Sequence, residues 1–183
     1  MNGPLRRLFI GLFPDEAVRA ALVDHQQRWS WGRGRPVGPL RLHLTLHFVG
    51  EIDAPHEAAL RQALAGVEVV PFDLALRAVE RWSGGVAVLR PDAQPALSEM
   101  HALCARRLLR AGITPRADAF TPHVTLARNA PNAAPPEAFP TVGWTVRDCA
   151  LIWSHDGRYD IVERYGGDQR PFKPAAARRT LRR

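Results

Sequence analysis

Apolar and polar residues alternate along Leu42-His43-Leu44-Thr45-Leu46-His47-Phe48-Val49-Gly50. A strand with a two-residue period puts His43, Thr45 and His47 on one face and Leu42, Leu44 and Leu46 on the other. The pattern returns in Pro122-His123-Val124-Thr125-Leu126-Ala127-Arg128, where His123 and Thr125 share a face backed by Val124 and Leu126. His-x-Thr-Leu therefore occurs twice, each time in a strand-like setting. No packing rule asks for His then Thr on one face of two separate strands, so the pair reads as a single site.

The other periodicities supply a frame for these two strands. Residues 7–13 alternate as a first strand, with Leu8, Ile10 and Leu12 facing one way and Phe9, Gly11 and Phe13 the other. Pro14 then opens a helical pattern over residues 15–29, with Val18, Leu22 and Gln26 in register and Asp15 and Glu16 at its positive end. Residues 30–39 hold Gly32, Gly34, Gly38, Arg33 and Arg35 and form a loop, readable as solvated or as a phosphate contact. A helix is predicted over 55–65, and a half-buried strand over 72–79. Gly84-Gly85 marks a hairpin turn into residues 86–89. A long amphipathic helix over 95–111 ends at Gly112, a connection over 113–121 follows, and four prolines between Pro131 and Pro140 make a loop. Residues 144–153 read as one strand, and Gly157 turns into a last one over 159–165.

This order predicts an α+β fold in two pseudo-symmetric lobes of mainly antiparallel sheet with flanking helices, each lobe bringing one His-x-Thr strand to a central cleft. One domain spans residues 1–183, with an ordered core of about 1–170 and a basic tail, 171–183.

Composition adds partners and compartment. The formal charge is +7, which favours a polyanion such as RNA. The basic residues are nearly all Arg, with Lys173 the only lysine, and high GC content would produce the same excess. No apolar run is long enough to span a membrane and no signal sequence develops, so a cytoplasmic protein is expected. Cys104 and Cys149 have apolar neighbours and no metal-type spacing, as small buried thiols do.

Two histidines across a cleft make an acid and base pair near neutral pH. The pair suits in-line displacement at phosphorus: a neutral ring takes the proton of the attacking oxygen and an imidazolium protonates the leaving one. The threonine hydroxyls can donate to phosphate oxygens as charge develops. No metal motif is present, and on a strand His43 and His47 stand about 13 Å apart, too far to share an ion. His25, His56 and His101 fall in helical patterns, as packing or surface residues.

The paired segments His43-Leu44-Thr45-Leu46 with Phe48-Val49-Gly50-Glu51, and Phe120 to Arg128, resemble the signatures of the two-histidine (2H) phosphoesterases. They are most similar to its bacterial RNA 2′,3′-cyclic phosphodiesterase branch, also called 2′-5′ RNA ligase. The resemblance runs from the opening strand to about Tyr165 and includes the Ser154 and Tyr159 region. It implies a bilobal, cofactor-free and metal-free enzyme, expected as a monomer, that opens an RNA-terminal 2′,3′-cyclic phosphate to a 2′-phosphate, tRNA fragments being one source of such ends. It further implies that His123 is the base for water, His43 the acid for the 3′ oxygen, and Thr45 and Thr125 the phosphate contacts. Further candidates for substrate contact are Arg128, His47, Phe48, Phe120 and Tyr159, although Arg128 projects opposite Thr125 unless the strand bulges. The Trp82-Ser83-Gly84-Gly85 turn departs from the family pattern. Small cyclic phosphates, 2′-5′ oligonucleotides, or RNA binding without catalysis remain the alternative functions.

Overall fold

The computed structural model describes residues 4–167; the predicted basic tail lies outside the described residues. In chain order it contains β1 (Arg6–Leu12), α1 (Glu16–Gln27), β2 (Arg35–Pro36), a 3-10 turn (Pro39–Arg41), β3 (Leu44–Ile52), α2 (Ala54–Leu64), β4 (Phe72–Trp82), β5 (Val86–Pro91) and α3 (Pro95–Arg110). β6 (Val124–Arg128), β7 (Val142–Val146), β8 (Cys149–His155) and β9 (Arg158–Tyr165) complete it. The strands form one sheet in the order β7-β4-β5-β6-β3-β1-β8-β9, with β2 also on β6. Every named pair is antiparallel.

The strand order reads the same outward from its middle. β3 is followed by β1, β8 and β9, while β6 is followed by β5, β4 and β7. The seam between the halves is a single pairing, Leu44 opposite Val124. The two lobes expected from the sequence are therefore two halves of one continuous sheet, joined through their motif strands.

Residues 144–153 are not one strand. Val142, Trp144 and Val146 are buried in alternation, then Cys149 to Ile152 are buried four in a row. An alternating strand has one wet face, whereas a continuous buried run is covered on both, and the chain changes from one to the other at Arg147-Asp148. β7 and β8 stand first and seventh in the sheet order, which on a flat sheet is roughly 29 Å. Only two residues join them, a reach of about 11 Å between Val146 and Cys149 at 3.8 Å per step. The sheet must curl until its ends approach.

Helix starts and stops follow their local chemistry. Asp15 caps α1 by accepting from the Val18 amide at 2.9 Å, Asp53 caps α2, and Gly112 ends α3 at φ 74°, a backbone that favours glycine. The helices and one sheet face enclose the main core, which includes Leu8, Ile10, Leu12, Leu44, Leu46, Val124 and Leu126. Phe9, Ala150 and Ile152 form a separate cluster, flanked by Phe13 and Tyr159. β1 thus divides its faces as its alternation predicts. Cys104 and Cys149 are free and buried, and among the described residues no helix is long and apolar enough to cross a membrane.

Candidate active site at the seam of the sheet

The motif histidines do not lie within strands, as the alternation suggested, but one residue before them: β3 begins at Leu44 and β6 at Val124. The same bond holds both rings. His43 Nδ1–H donates to the Arg41 carbonyl at 2.6 Å, and His123 Nδ1–H donates to the Thr121 carbonyl at 2.7 Å. Each ring's Nε2 is left for chemistry. For His43 this nitrogen is 3.1 Å from Thr45 Oγ1, whose hydroxyl donates to the neutral ring.

The seam pairing assembles the site. With Leu44 opposite Val124, antiparallel register sets His43 across from Thr125 and Thr45 across from His123. All four then share the face opposite two fully buried apolar residues. The two histidines lie on a diagonal of this patch, roughly 8 Å between Cα positions for one strand spacing and two residue rises. A phosphate can sit between them.

One irregularity occurs in both copies of the motif. Ile10 pairs with His47 and Gly11 with Thr45, so Leu46 is an extra residue on β3. Ala87 pairs with Ala127 and Val88 with Thr125, so Leu126 is an extra residue on β6. These bulges reverse the alternation after each threonine. His47 therefore does not share the face of His43: it pairs with core residue Ile10, is 6% exposed, and donates from Nε2 to the His101 carbonyl of α3 at 2.8 Å. The same reversal brings Phe48 and Arg128 onto the threonine face. Phe48 is 52% exposed there, and Arg128 is exposed.

The two imidazoles sit in unlike surroundings. His43 is boxed by rings: Phe9 at 5.0 Å, Phe13 parallel at 5.4 Å and Tyr159 edge-on at 5.1 Å, measured between centroids. Its pKa is pushed down to about 4, first by this burial and further by the charges of His123, Arg128 and Arg41, against the raising effect of its bond to the Arg41 carbonyl. The His123 value is also lowered, mainly by burial; the Thr121 carbonyl and Glu80 raise it, and Arg128 and Arg90 lower it. Arg128 thus acts on both rings, as the reversed alternation of β6 requires.

Two cavities flank the patch. One, of about 150 Å³, touches His43, Phe9, Arg7, Ser154 and Tyr159; the other, of about 240 Å³, touches His123, Thr45, Trp82, His101 and Phe120. Phe48 and Arg116 border both. Phe120 stacks on His101 at 4.0 Å, and His101 on His47 at 4.0 Å. Burial and His47 push His101 to about 4. His47 and His101 thus border the second cavity as members of this stack, in which His101 was not expected. Phe9, Phe13, Glu80 and Arg90 were not singled out either, and Trp82 only as part of a turn that departs from the family pattern. The alternation over residues 7–13 already put Phe9 and Phe13 on one face, which is a usable signal; Glu80 and Arg90 gave none. Among the described residues no group of three His, Cys, Asp or Glu could hold a metal ion.

Paired Nε2 atoms, hydroxyls and an arginine on one face of an antiparallel seam define a two-histidine phosphoesterase. A sequence model of the 2′-5′ RNA ligase superfamily matches residues 14–158, and the chain belongs to that family. It is 36% identical over 169 residues, 81% of either chain, to a Thermus thermophilus protein named RNA 2′,3′-cyclic phosphodiesterase. An Escherichia coli protein of the same name is 34% identical over 143 residues, 76% of this chain and 81% of that one. The solved structure of E. coli LigT complexed with 3′-AMP superimposes with a TM-score of 0.75 at 26% identity, covering 90% of this chain and 99% of that one.

Proposed function

We propose that this protein is an RNA 2′,3′-cyclic phosphodiesterase that opens a terminal cyclic phosphate to a 2′-phosphate without a metal. The observation that carries the reading is the seam: one backbone pairing holds His43, His123, Thr45 and Thr125 on one face. The names of the Thermus and E. coli relatives support it, as does LigT solved with a nucleoside 3′-phosphate.

His123 takes the proton of the attacking water through Nε2, and His43 protonates the departing 3′ oxygen. Both free rings are held neutral near pH 7 by their lowered pKa values. A phosphate anion between them favours the charged imidazole and raises both, so His43 acquires its proton together with the substrate. Thr45 and Thr125 donate to the non-bridging oxygens, and Arg128 supplies positive charge as the phosphorane forms. Phe48, Phe120 and Tyr159 offer ring surface to the terminal nucleoside.

The cavities on either side of Phe48, one beside each histidine, favour a second reading at the same site. A nucleoside on each side of the phosphate is what cleavage or formation of a 2′-5′ linkage needs. The substrates are cytoplasmic RNA ends, tRNA fragments among them, and the active form is a monomer. The test is incubation of the full chain, in excess EDTA, with an oligoribonucleotide ending in a 2′,3′-cyclic phosphate. A 2′-phosphate product is expected; a 3′-phosphate, or loss of activity on chelation, would contradict the mechanism.

A further inference from the structure

The two copies of the motif are alike in sequence and in backbone, yet their surroundings differ: Arg41 and Arg128 act on His43, whereas His123 stands against an ion pair and the indole it holds. β4 and β5 pair Glu80 with Val88 and Trp82 with Val86, and Val88 pairs with Thr125 of β6. Glu80, Trp82 and Thr125 therefore share the face that carries His123. Both oxygens of Glu80 are engaged. Oε2 accepts from Trp82 Nε1 at 2.7 Å, and Oε1 accepts from Arg90 Nη1 at 2.6 Å. The indole held in this way meets the His123 ring with centroids 4.4 Å apart and planes at 65°.

We infer that Glu80 is a positioning residue for His123, fixing the plane of the imidazole through Trp82 and offsetting the charge of Arg90 beside it. The inference rests on the proposed role of His123 as a proton carrier and extends it to residues outside the motif. A purely stabilising role is a poor account of the pair, because Glu80 and Arg90 are 37% and 32% exposed in their side chains, and ion pairs so open to solvent contribute little to stability. A placement role fits better. Beyond its covalent attachment the imidazole has one polar anchor, its Nδ1–H bond to the Thr121 carbonyl, and tilting of the ring plane moves Nε2 unless something stops the ring. Trp82 supplies the stop, and its own N–H is tied down by Glu80. His43 needs no such brace, being held by three aromatic rings.

The charges that face His123 are few enough to give a signed test. Arg128 comes from its own strand, Arg90 from β5, Glu80 from β4, and His43 from across the seam. Arg116 and Asp118, on the connection before it, border the same cavity and pair with each other at 3.3 Å. Glu80→Gln, nearly isosteric, removes the favourable charge and leaves Arg90 less offset, so the His123 pKa falls. Arg90→Gln removes an unfavourable charge, so it rises.

The experiment is an NMR titration of the imidazole resonances in the full chain, with His123 assigned by its loss in His123→Ala, for the parent, Glu80→Gln and Arg90→Gln. Turnover of a cyclic-phosphate oligoribonucleotide is measured in parallel. Opposite shifts in the two variants are expected, with kcat of Glu80→Gln down about tenfold and KM little changed, a part of the usual acid–base contribution. Trp82→Phe keeps a ring and loses the N–H, and is expected to lower kcat in the same way while shifting the His123 pKa less than Glu80→Gln. Shifts of the same sign, or none, in folded variants would overturn the inference. The titration needs no substrate, so opposite shifts in a protein that turns nothing over would support the brace while removing the phosphodiesterase reading.

Discussion

Arg128 shows how a single residue's placement depends on a feature its own position does not reveal. Strict alternation puts it on the wrong side of β6; the extra residue Leu126 turns it toward Thr125. Removing its charge while keeping a polar side chain, as Arg128→Gln, is expected to lower kcat/KM about 10- to 100-fold, the range of a hydrogen bond to a charged group. Unchanged kinetics would separate it from the site. The four motif residues were legible because their spacing is local and repeated. His47 was misassigned to their face, and Arg128 was left dependent on a bulge, for one shared reason: a bulge is set by the partner strand, which the local sequence does not contain.

At the level of elements, plain alternation keeps Leu44 and Leu46 buried behind His43 and Thr45, and the two bulges then turn Phe48 and Arg128 to the threonine face. Gly11 enters here. It pairs with Thr45 beside the bulge, and a Cβ on it would stand 3.0 Å from the Leu44 carbonyl and 3.4 Å from the Phe9 ring. Gly11→Val is therefore expected to cost about 1–3 kcal/mol, the usual range for overpacking, and to depress kcat by shifting Thr45 and the Phe9 wall of His43. Chemical denaturation together with turnover checks this; a variant as stable and active as the parent would contradict it. Helices and hairpins were readable because caps, Gly112 and Gly84-Gly85 are local signals. The strand predicted over 144–153 is in fact two, because apolar content is similar on both sides of Arg147-Asp148 and only the change from alternating to continuous burial marks the break. That signal was in the sequence and could have been used.

For the whole molecule, the fold withdraws five imidazoles from water wholly or in part, on helices as well as in and beside the sheet. His25, His43, His47, His101 and His123 all have lowered pKa values, with burial the leading cause in each. Their unfolded value is about 6.5, so below it the unfolded chain binds more protons than the folded one. Stability present above pH 6.5 is therefore lost as pH falls toward the folded values, about 4 for His43 and His101. Tm is expected to decline between pH 6.5 and 4, with a shallower decline in His101→Leu; a flat Tm across that window would contradict the burial of these rings. Topology at this scale was legible only as two similar halves. That they share one sheet depends on a single pairing, Leu44 with Val124, between residues eighty positions apart in the chain.

Under the proposed function, His43 and His123 divide the proton transfers of one displacement at phosphorus. The pH dependence of kcat/KM for a cyclic-phosphate oligoribonucleotide, compared between the parent, His43→Ala and His123→Ala, tests it most directly. The parent is expected to give a bell with its maximum on the acid side of 6.5, because kcat/KM reports the free enzyme and both rings there are lowered. Each variant is expected to fall by about 10²–10⁴-fold, His43→Ala losing the alkaline limb and His123→Ala the acid one. Variants that keep both limbs, or that match the parent in rate, would contradict the two-histidine account.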